Sequence, residues 1–106
     1  MIEPTGIQPA RLRALLRDMV DIYSPSGKEI EVARYVEAYL KKRGLRVVRQ
    51  EVDESRFNLL VPPPGEVGLC LVGHLDTITA HNLEDYGFHD GGDTISGLGT
   101  ADMKAG

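Results

Sequence analysis

The sequence is poor in cysteine and aromatic residues, and it has no long hydrophobic run. Its single cysteine, Cys70, has no partner for an internal disulfide, which excludes the disulfide-rich secreted class. No apolar stretch approaches the roughly 20 residues of a membrane-spanning helix, and residues 1–11 lack the hydrophobic core of a signal peptide. We therefore expect a protein of the reducing cytoplasm, with no membrane partner.

Basic charge is also scarce. Twelve lysines and arginines stand against sixteen acidic residues, which leaves a formal net charge of −4. The one basic cluster, residues 41–43, lies at a predicted helix C-terminus, where cations favour the helix dipole. This balance predicts no nucleic-acid partner. With 42% hydrophobic residues in a chain of 106, we expect one folded domain with a modest core.

Two amphipathic helices are predicted in the first half of the chain. The first covers 9–23, because Pro9 suits a first helical turn and Ser24-Pro25 opposes helical geometry. A capping box of Ser26 and Glu29 predicts the start of the second, and Gly44 predicts its left-handed end. The predicted buried stripes are Leu12, Leu15, Leu16, Met19 and Tyr23 in the first helix and Val32, Ala33, Val36, Tyr39 and Leu40 in the second.

Strand patterns follow the helices. Residues 45–52 and 57–61 predict two strands that fold back on each other, and the "PPPGE" segment predicts a surface turn. Residues 67–73 form an uninterrupted apolar run, which predicts a strand buried on both faces and Cys70 as a small buried hydrophobe. Two short strands are predicted over 86–89 and 94–96. The expected fold class is α/β, with helices packed on a mixed β-sheet.

Ionisable residues follow the apolar run directly. His74 and Asp76 lie two positions apart, so they share one side if the chain stays extended. A histidine with a neighbouring acid that orients its ring is typical of metal sites. Asp102 follows a glycine-rich turn at the start of a predicted helix, and imidazole with carboxylate is a mixture that zinc favours. The sequence therefore predicts that His74 and Asp102 meet at a shared cation site.

Two motifs in this part of the chain resemble a known family. "GHLDT" followed by "GLGTADMKAG" resembles the paired signatures of the M20 family of zinc exopeptidases and deacylases. That family includes acetylornithine deacetylase, succinyl-diaminopimelate desuccinylase and glutamate carboxypeptidase. The early "SPSGKE" and Asn58 of "FNLLV" also look like the family's amino-terminal region, so the resemblance runs from about Pro9 onward. Two motifs in the right order are far more specific than one.

The resemblance implies roles at the matching positions. His74 resembles a ligand of the first metal, and Asp102 the carboxylate that bridges two zinc ions. Asp76 resembles the acid that holds the imidazole, which makes it the candidate catalytic residue. The family hydrolyses amide bonds of N-acyl amino acids or short peptides with a metal-activated water. The implied cofactor is two Zn²⁺ ions per complete site, with Co²⁺ or Mn²⁺ as alternatives.

Other parts of the family pattern are absent from residues 1–106. The Glu-Glu pair, the later metal ligands and the lid and dimerisation domain have no counterpart here. The chain therefore resembles the amino-terminal portion of an aminopeptidase-type catalytic domain, and a catalytic zinc takes about three protein ligands. We expect residues 1–106 to be inactive alone and to self-associate through a bare apolar edge. A non-catalytic remnant or interaction module and one half of a split enzyme stay open as alternatives.

Three further patterns have simpler interpretations. The glycines of "GLGTAD" do not predict a dinucleotide site, because Asp102 replaces the third glycine. The histidines and acids of residues 78–93 fit no calcium-loop spacing, which favours a solvated acidic loop. Lys104 is predicted as a structural, helix-facing residue rather than a catalytic base.

Overall fold

The computed structural model describes residues 6–106. Residues 1–5, on which part of the signal-peptide prediction depends, lie outside the described residues. No helix in the described range is both long and apolar enough to cross a membrane. The elements in chain order are α1 (Pro9–Asp21), α2 (Ile30–Lys42), β1 (Val48–Glu51), β2 (Phe57–Leu60), β3 (His89–Asp90), β4 (Ile95–Ser96) and a helical segment (Thr100–Lys104).

Helix α1 begins at Pro9, as predicted, but ends at Asp21, two residues earlier than expected. The backbone turns to extended geometry at Ile22, which lets Ser24 reach across to a distant loop. The predicted buried stripe is only partly correct. Leu12 is 56% exposed, and Val20 is the residue of α1 that is fully buried.

Helix α2 begins at Ile30, and the predicted capping box is wrong. The Ser26 hydroxyl donates to the carboxylate of Asp76, and no side chain of the described residues accepts the first amides of the helix as a cap. Glu29 is itself the N-cap, and its side chain accepts a hydrogen bond from the Gly27 amide at 2.8 Å. The C-terminal prediction is confirmed, because Gly44 has a φ of +83° and donates to the Lys41 carbonyl at 2.9 Å.

The hairpin predicted after α2 is confirmed. β1 and β2 pair antiparallel, with Val48 opposite Leu60 at one end of the ladder. The Arg49 guanidinium lies 4.1 Å from the Phe57 ring centroid and donates two hydrogen bonds of 2.7 Å to Glu37. These contacts fasten the hairpin to α2. The other pair, β3 with β4, is also antiparallel and corresponds to the predicted short strands.

The prediction of a buried strand over 67–73 is wrong. Leu69 is 79% and Leu71 is 89% exposed, and Cys70, expected to be buried, is exposed as well. The described residues place no strand beside this run, so its backbone groups are unpaired and its apolar side chains are uncovered. Helices with small antiparallel sheets are compatible with the α/β class, but residues 6–106 form two separate two-stranded sheets rather than one mixed sheet.

The core is smaller than the composition predicts. Among the described residues, the buried hydrophobic side chains are Val20, Val32 and Ala33. Within residues 6–106, the buried polar or charged residues are Ser24, Glu37, Thr77 and Lys104. Three of these four fasten loops to the C-terminal end of α1. The candidate site therefore lies beside the buried contacts at the C-terminal end of α1.

Candidate functional site

The loop after α1 fixes the backbone of residues 75–77. Pro25 and Thr77 form a parallel bridge, in which the Thr77 amide donates to the Ser24 carbonyl at 2.8 Å. The Ser26 amide donates to the Thr77 carbonyl at 3.1 Å. The buried Ser24 hydroxyl donates to the Leu75 carbonyl at 2.8 Å. The position of Asp76 is thus determined by α1, although the run that precedes it is unpaired.

His74 and Asp76 lie on the same side of the chain, as their spacing predicts. The Nδ1 atom of His74 is 3.1 Å from Asp76 Oδ1 and 3.1 Å from the Asp76 carbonyl oxygen. The other carboxylate oxygen of Asp76 accepts the hydroxyl of Ser26. The Ser26 hydrogen bond lowers the pKa of Asp76 against the opposing effect of partial burial. The carboxylate is therefore an ionised acceptor held from both sides.

The site has two halves, His74 with Asp76 and the segment that carries Asp102. A glycine-rich turn brings the second half to the first. Gly99 has a φ of +77°, and a Cβ at this position would overlap the Cγ2 atom of the buried Thr77. The helical segment begins directly after it and is closed by the bond from the Lys104 amide to the Gly99 carbonyl, 3.0 Å long. Within that segment Asp102 has extended geometry, with φ −126° and ψ 85°. This departure from helical geometry directs the Asp102 side chain outward, where it is 88% exposed.

The two halves of the site meet at His74. Its Nε2 atom lies 2.9 Å from Asp102 Oδ1, across 28 residues of sequence. The sequence predicted that these two groups share a site, and the structure places them in contact. The hydrogen bond with Asp102, supported by the one with Asp76, raises the pKa of His74 above its ordinary value. Both nitrogens of the ring are therefore directed at carboxylates.

Lys104 is buried behind this contact. It is 6% exposed, and its Nζ atom donates to the carbonyls of Met19 at 2.7 Å and Ile22 at 2.9 Å. Burial lowers the pKa of this lysine to about 8. The prediction of a structural, helix-facing residue agrees with these contacts.

A cavity of about 370 Å³ opens at the His74–Asp102 contact. Its lining includes Ser26, Asp76, Ile78 and Leu98. Sequence reasoning missed Ser26 as a site residue because it assigned the hydroxyl to the start of a helix. The signal that could have found it was its position in the "SPSGKE" motif.

The donor set at this cavity fits a zinc-type cation. His74 Nε2 and Asp102 Oδ1, 2.9 Å apart, lie within the roughly 4 Å that two metal–ligand bonds of about 2 Å can span. Asp76 on the far ring nitrogen supplies the outer support that ligating histidines have. Among residues 6–106, however, no group of three or more His, Cys, Asp or Glu side chains is arranged to hold a metal.

Comparison with known proteins finds relatives that are named as hydrolases. A protein of Aspergillus niger named probable carboxypeptidase is 34% identical over 84% of this chain and 25% of its own length. A LysW-lysine/LysW-ornithine hydrolase of Pyrococcus abyssi is 32% identical over 84% of this chain and 24% of its own. An acetylornithine deacetylase of Aliivibrio fischeri is 35% identical over 70% of this chain and 21% of its own.

The similarity covers most of this chain but a small part of each relative. The chain spans about a quarter of the length of the curated relatives it matches. No protein-family model matches the chain, and no solved structure matches it. The named relatives are all M20-type hydrolases, which confirms the resemblance predicted from the two motifs. The chain is therefore similar to M20-type carboxypeptidases and deacetylases over about a quarter of their length.

Proposed function

We propose that residues 1–106 supply part of the metal centre of an M20-type hydrolase that cleaves amide bonds of N-acyl amino acids or short peptides. The observation that carries this proposal is the position of His74, with Asp102 on one ring nitrogen at 2.9 Å and Asp76 on the other at 3.1 Å. The relatives named carboxypeptidase and acetylornithine deacetylase support the substrate class.

The ligand roles follow from the two groups that face each other. His74 Nε2 and Asp102 would hold zinc, and cobalt or manganese would suit the same donors. When bound, the metal supplies Lewis acidity for an amide carbonyl and lowers the pKa of water. Residues 74 and 102 hold these donors at the mouth of the cavity, where a small substrate has access.

Asp76 acts through His74 in this proposal. Its Oδ1 would accept the Nδ1–H of the imidazole when a cation takes the place of the proton on Nε2. The Ser26 hydroxyl fixes the other carboxylate oxygen, so the carboxylate cannot rotate away from the ring. We therefore assign Asp76 as a positioning residue for the ligand, rather than as the base that activates water.

The proposal includes a partial catalytic domain. Two donors are fewer than the roughly three protein ligands of a catalytic zinc, so we propose that residues 1–106 hold metal weakly and do not turn over substrate alone. The remaining ligands would come from further chain or from a second subunit. The unpaired Cys70 supports a reducing compartment such as the cytoplasm.

Metal titration of variants tests the ligand assignment. We expect His74→Ala and Asp102→Asn each to weaken Zn²⁺ binding at least about tenfold, as for loss of a metal-site residue. His81→Ala, in the exposed acidic loop, is the matched control and should keep the wild-type affinity. Competition with a zinc-sensitive dye measures all four proteins. Equal zinc affinity in wild type and the His74 and Asp102 variants contradicts the proposal and favours the non-catalytic remnant.

Activity measurements distinguish a partial domain, a split enzyme and a non-catalytic remnant. Turnover of a panel of N-acyl amino acids and dipeptides by residues 1–106 contradicts the partial-domain assignment. A split enzyme gains both zinc affinity and turnover when its complementing chain is added, whereas a remnant gains neither. Thermal unfolding with and without Zn²⁺ gives a third readout, because a cation that binds the folded form raises the midpoint.

A further inference from the structure

The buried ammonium of Lys104 has no part in the ligand set, yet it lies two residues from Asp102. A buried charge is costly unless its polar hydrogens are bonded. Here the side chain is 6% exposed, and Nζ donates to the carbonyls of Met19 and Ile22 at 2.7 and 2.9 Å. A buried lysine with two such hydrogen bonds is not an ordinary solvated surface residue, so its position requires a structural explanation.

Both acceptors belong to the C-terminal end of α1. The last carbonyls of a helix have no partner within the helix, and a cation there is favoured by the helix dipole. Lys104 therefore serves as a cap for α1 supplied from 82 and 85 residues further along the chain. The contact ties the helical segment Thr100–Lys104 to that helix end.

The same end of α1 also holds the other half of the site. Ser24, three residues after the helix, donates its hydroxyl to the Leu75 carbonyl and accepts the Thr77 amide through its own carbonyl. The backbone on either side of Asp76 is therefore fixed to α1, as the backbone after Asp102 is. One helix end connects the two sequence-distant halves of the site.

We propose that Lys104 is a positioning residue of the metal centre, which holds Asp102 at contact distance from His74 by tying the helical segment to the α1 end that carries Ser24. The geometric part of this proposal stands on the described contacts alone. Its consequence for metal binding rests on the proposed function. In the described residues the Nζ atom of Lys104 bonds to the Met19 and Ile22 carbonyls and not to His74.

The first test uses paired variants and amide hydrogen exchange in the full 106-residue chain. In Lys104→Met, the amides of Thr100, Ala105 and Thr77 should exchange at least about tenfold faster, as for loss of a charged hydrogen bond. Amides of the β1–β2 ladder should keep their rates. Lys28→Met removes the same charge from an exposed position near the site and should change neither group. Equal acceleration of all protected amides indicates general destabilisation and overturns the proposal.

The second test is chemical labelling of the wild-type protein, which needs no variant to fold. An amine acetylating reagent followed by peptide mass spectrometry compares lysines within one molecule. Lys104 should react at least about tenfold more slowly than the exposed Lys28 and Lys42, because its amine is bonded and covered. This protection should outweigh the larger neutral fraction that its lowered pKa gives. Reaction of Lys104 at the rate of the exposed lysines shows that the tie to α1 is absent.

A Co²⁺ titration of the same variants tests whether the contact of Lys104 with α1 affects the metal centre. We expect Lys104→Met to bind Co²⁺ at least about tenfold more weakly, with altered visible absorption, as for loss of an outer support. Lys28→Met should match the wild type. Unchanged affinity and spectrum in Lys104→Met overturn the positioning role. If the wild-type chain binds no Co²⁺, the proposed function fails, whereas exchange and labelling still decide the geometric claim.

Discussion

Gly99 determines how closely the two halves of the site approach each other. Its φ of +77° is a conformation that other residues rarely adopt, and a side chain there would meet Thr77. The neighbouring Gly97 lies against Val20 in the same way. Because the turn packs this tightly, His74 Nε2 can reach Asp102 Oδ1. At the scale of single residues, the site depends on a glycine at position 99 as much as on its ionisable side chains.

Gly99→Ala should therefore destabilise the fold by about 1–3 kcal/mol, the usual cost of a strained backbone position. It should also weaken Zn²⁺ binding, because Thr77 must move to admit the methyl group. Gly65→Ala is the control, since nothing lies within 4 Å of a Cβ built at that position. Urea unfolding of both variants measures the difference. If the two alanine variants unfold at the same urea concentration, the close approach of Gly99 and Thr77 is not a constraint.

At the scale of elements, one ion pair connects α2 to the β1–β2 hairpin. Arg49 donates two hydrogen bonds of 2.7 Å to Glu37, and Lys41 lies 3.6 Å from the same carboxylate. The Arg49 hydrogen bonds lower the pKa of Glu37 to about 2. Paired, bidentate geometry of this kind is the strong form of a salt bridge. This charged contact is thus one of the contacts that fasten the hairpin to the helix.

The ion pair makes stability depend on acid pH. The pKa of a glutamate in an unfolded chain is about 4.3, and in the folded protein that of Glu37 falls to about 2. The contribution of this group to folding is therefore complete above the unfolded value and is lost as the pH falls towards about 2. As the pH falls across this range, the thermal unfolding midpoint should decline less steeply in Glu37→Gln than in the wild type. Glu31→Gln, on the exposed face of the same helix, should follow the wild type; identical declines in all three proteins contradict the assignment.

At the scale of the whole molecule, the apolar run before His74 departs most from a fold with its apolar side chains buried. Leu69, Leu71 and Val72 are 79%, 89% and 84% exposed. The radius of gyration is 15.2 Å, compared with about 13 Å for a compact domain of this length. Unpaired backbone beside uncovered apolar side chains favours pairing with another strand.

We accordingly expect residues 1–106 to self-associate. Sedimentation velocity over a range of concentrations should show species larger than the 11.6 kDa chain. Leu71→Lys should shift the distribution towards monomer, because a charge in the exposed run opposes strand pairing. Ile7→Lys, at another exposed apolar position, should have no such effect. A wild-type chain that sediments only as a monomer contradicts this expectation.

The confirmed predictions depend on residues close together in sequence, whereas the wrong ones depend on contacts with residues far along the chain. Pro9 and Gly44 mark the start and end of helical structure through their own backbone preferences, and both predictions are confirmed. The Ser26 prediction is wrong because its hydroxyl takes a partner, Asp76, that lies 50 residues away and is not specified by the local motif. The strand predicted over 67–73 is wrong because burial depends on other elements that cover it.

The sequence by itself determined the helices, the hairpin and the identity of the groups that meet, since dihedral limits, periodicity and motif chemistry are properties of the chain. Only the tertiary structure decided that His74 lies between Asp76 and Asp102, and that Lys104 and Ser24 tie both halves to the end of α1. The physical reason is that several partners are available to a hydrogen-bond donor or to an apolar surface. Which partner it takes depends on packing between segments far apart in sequence.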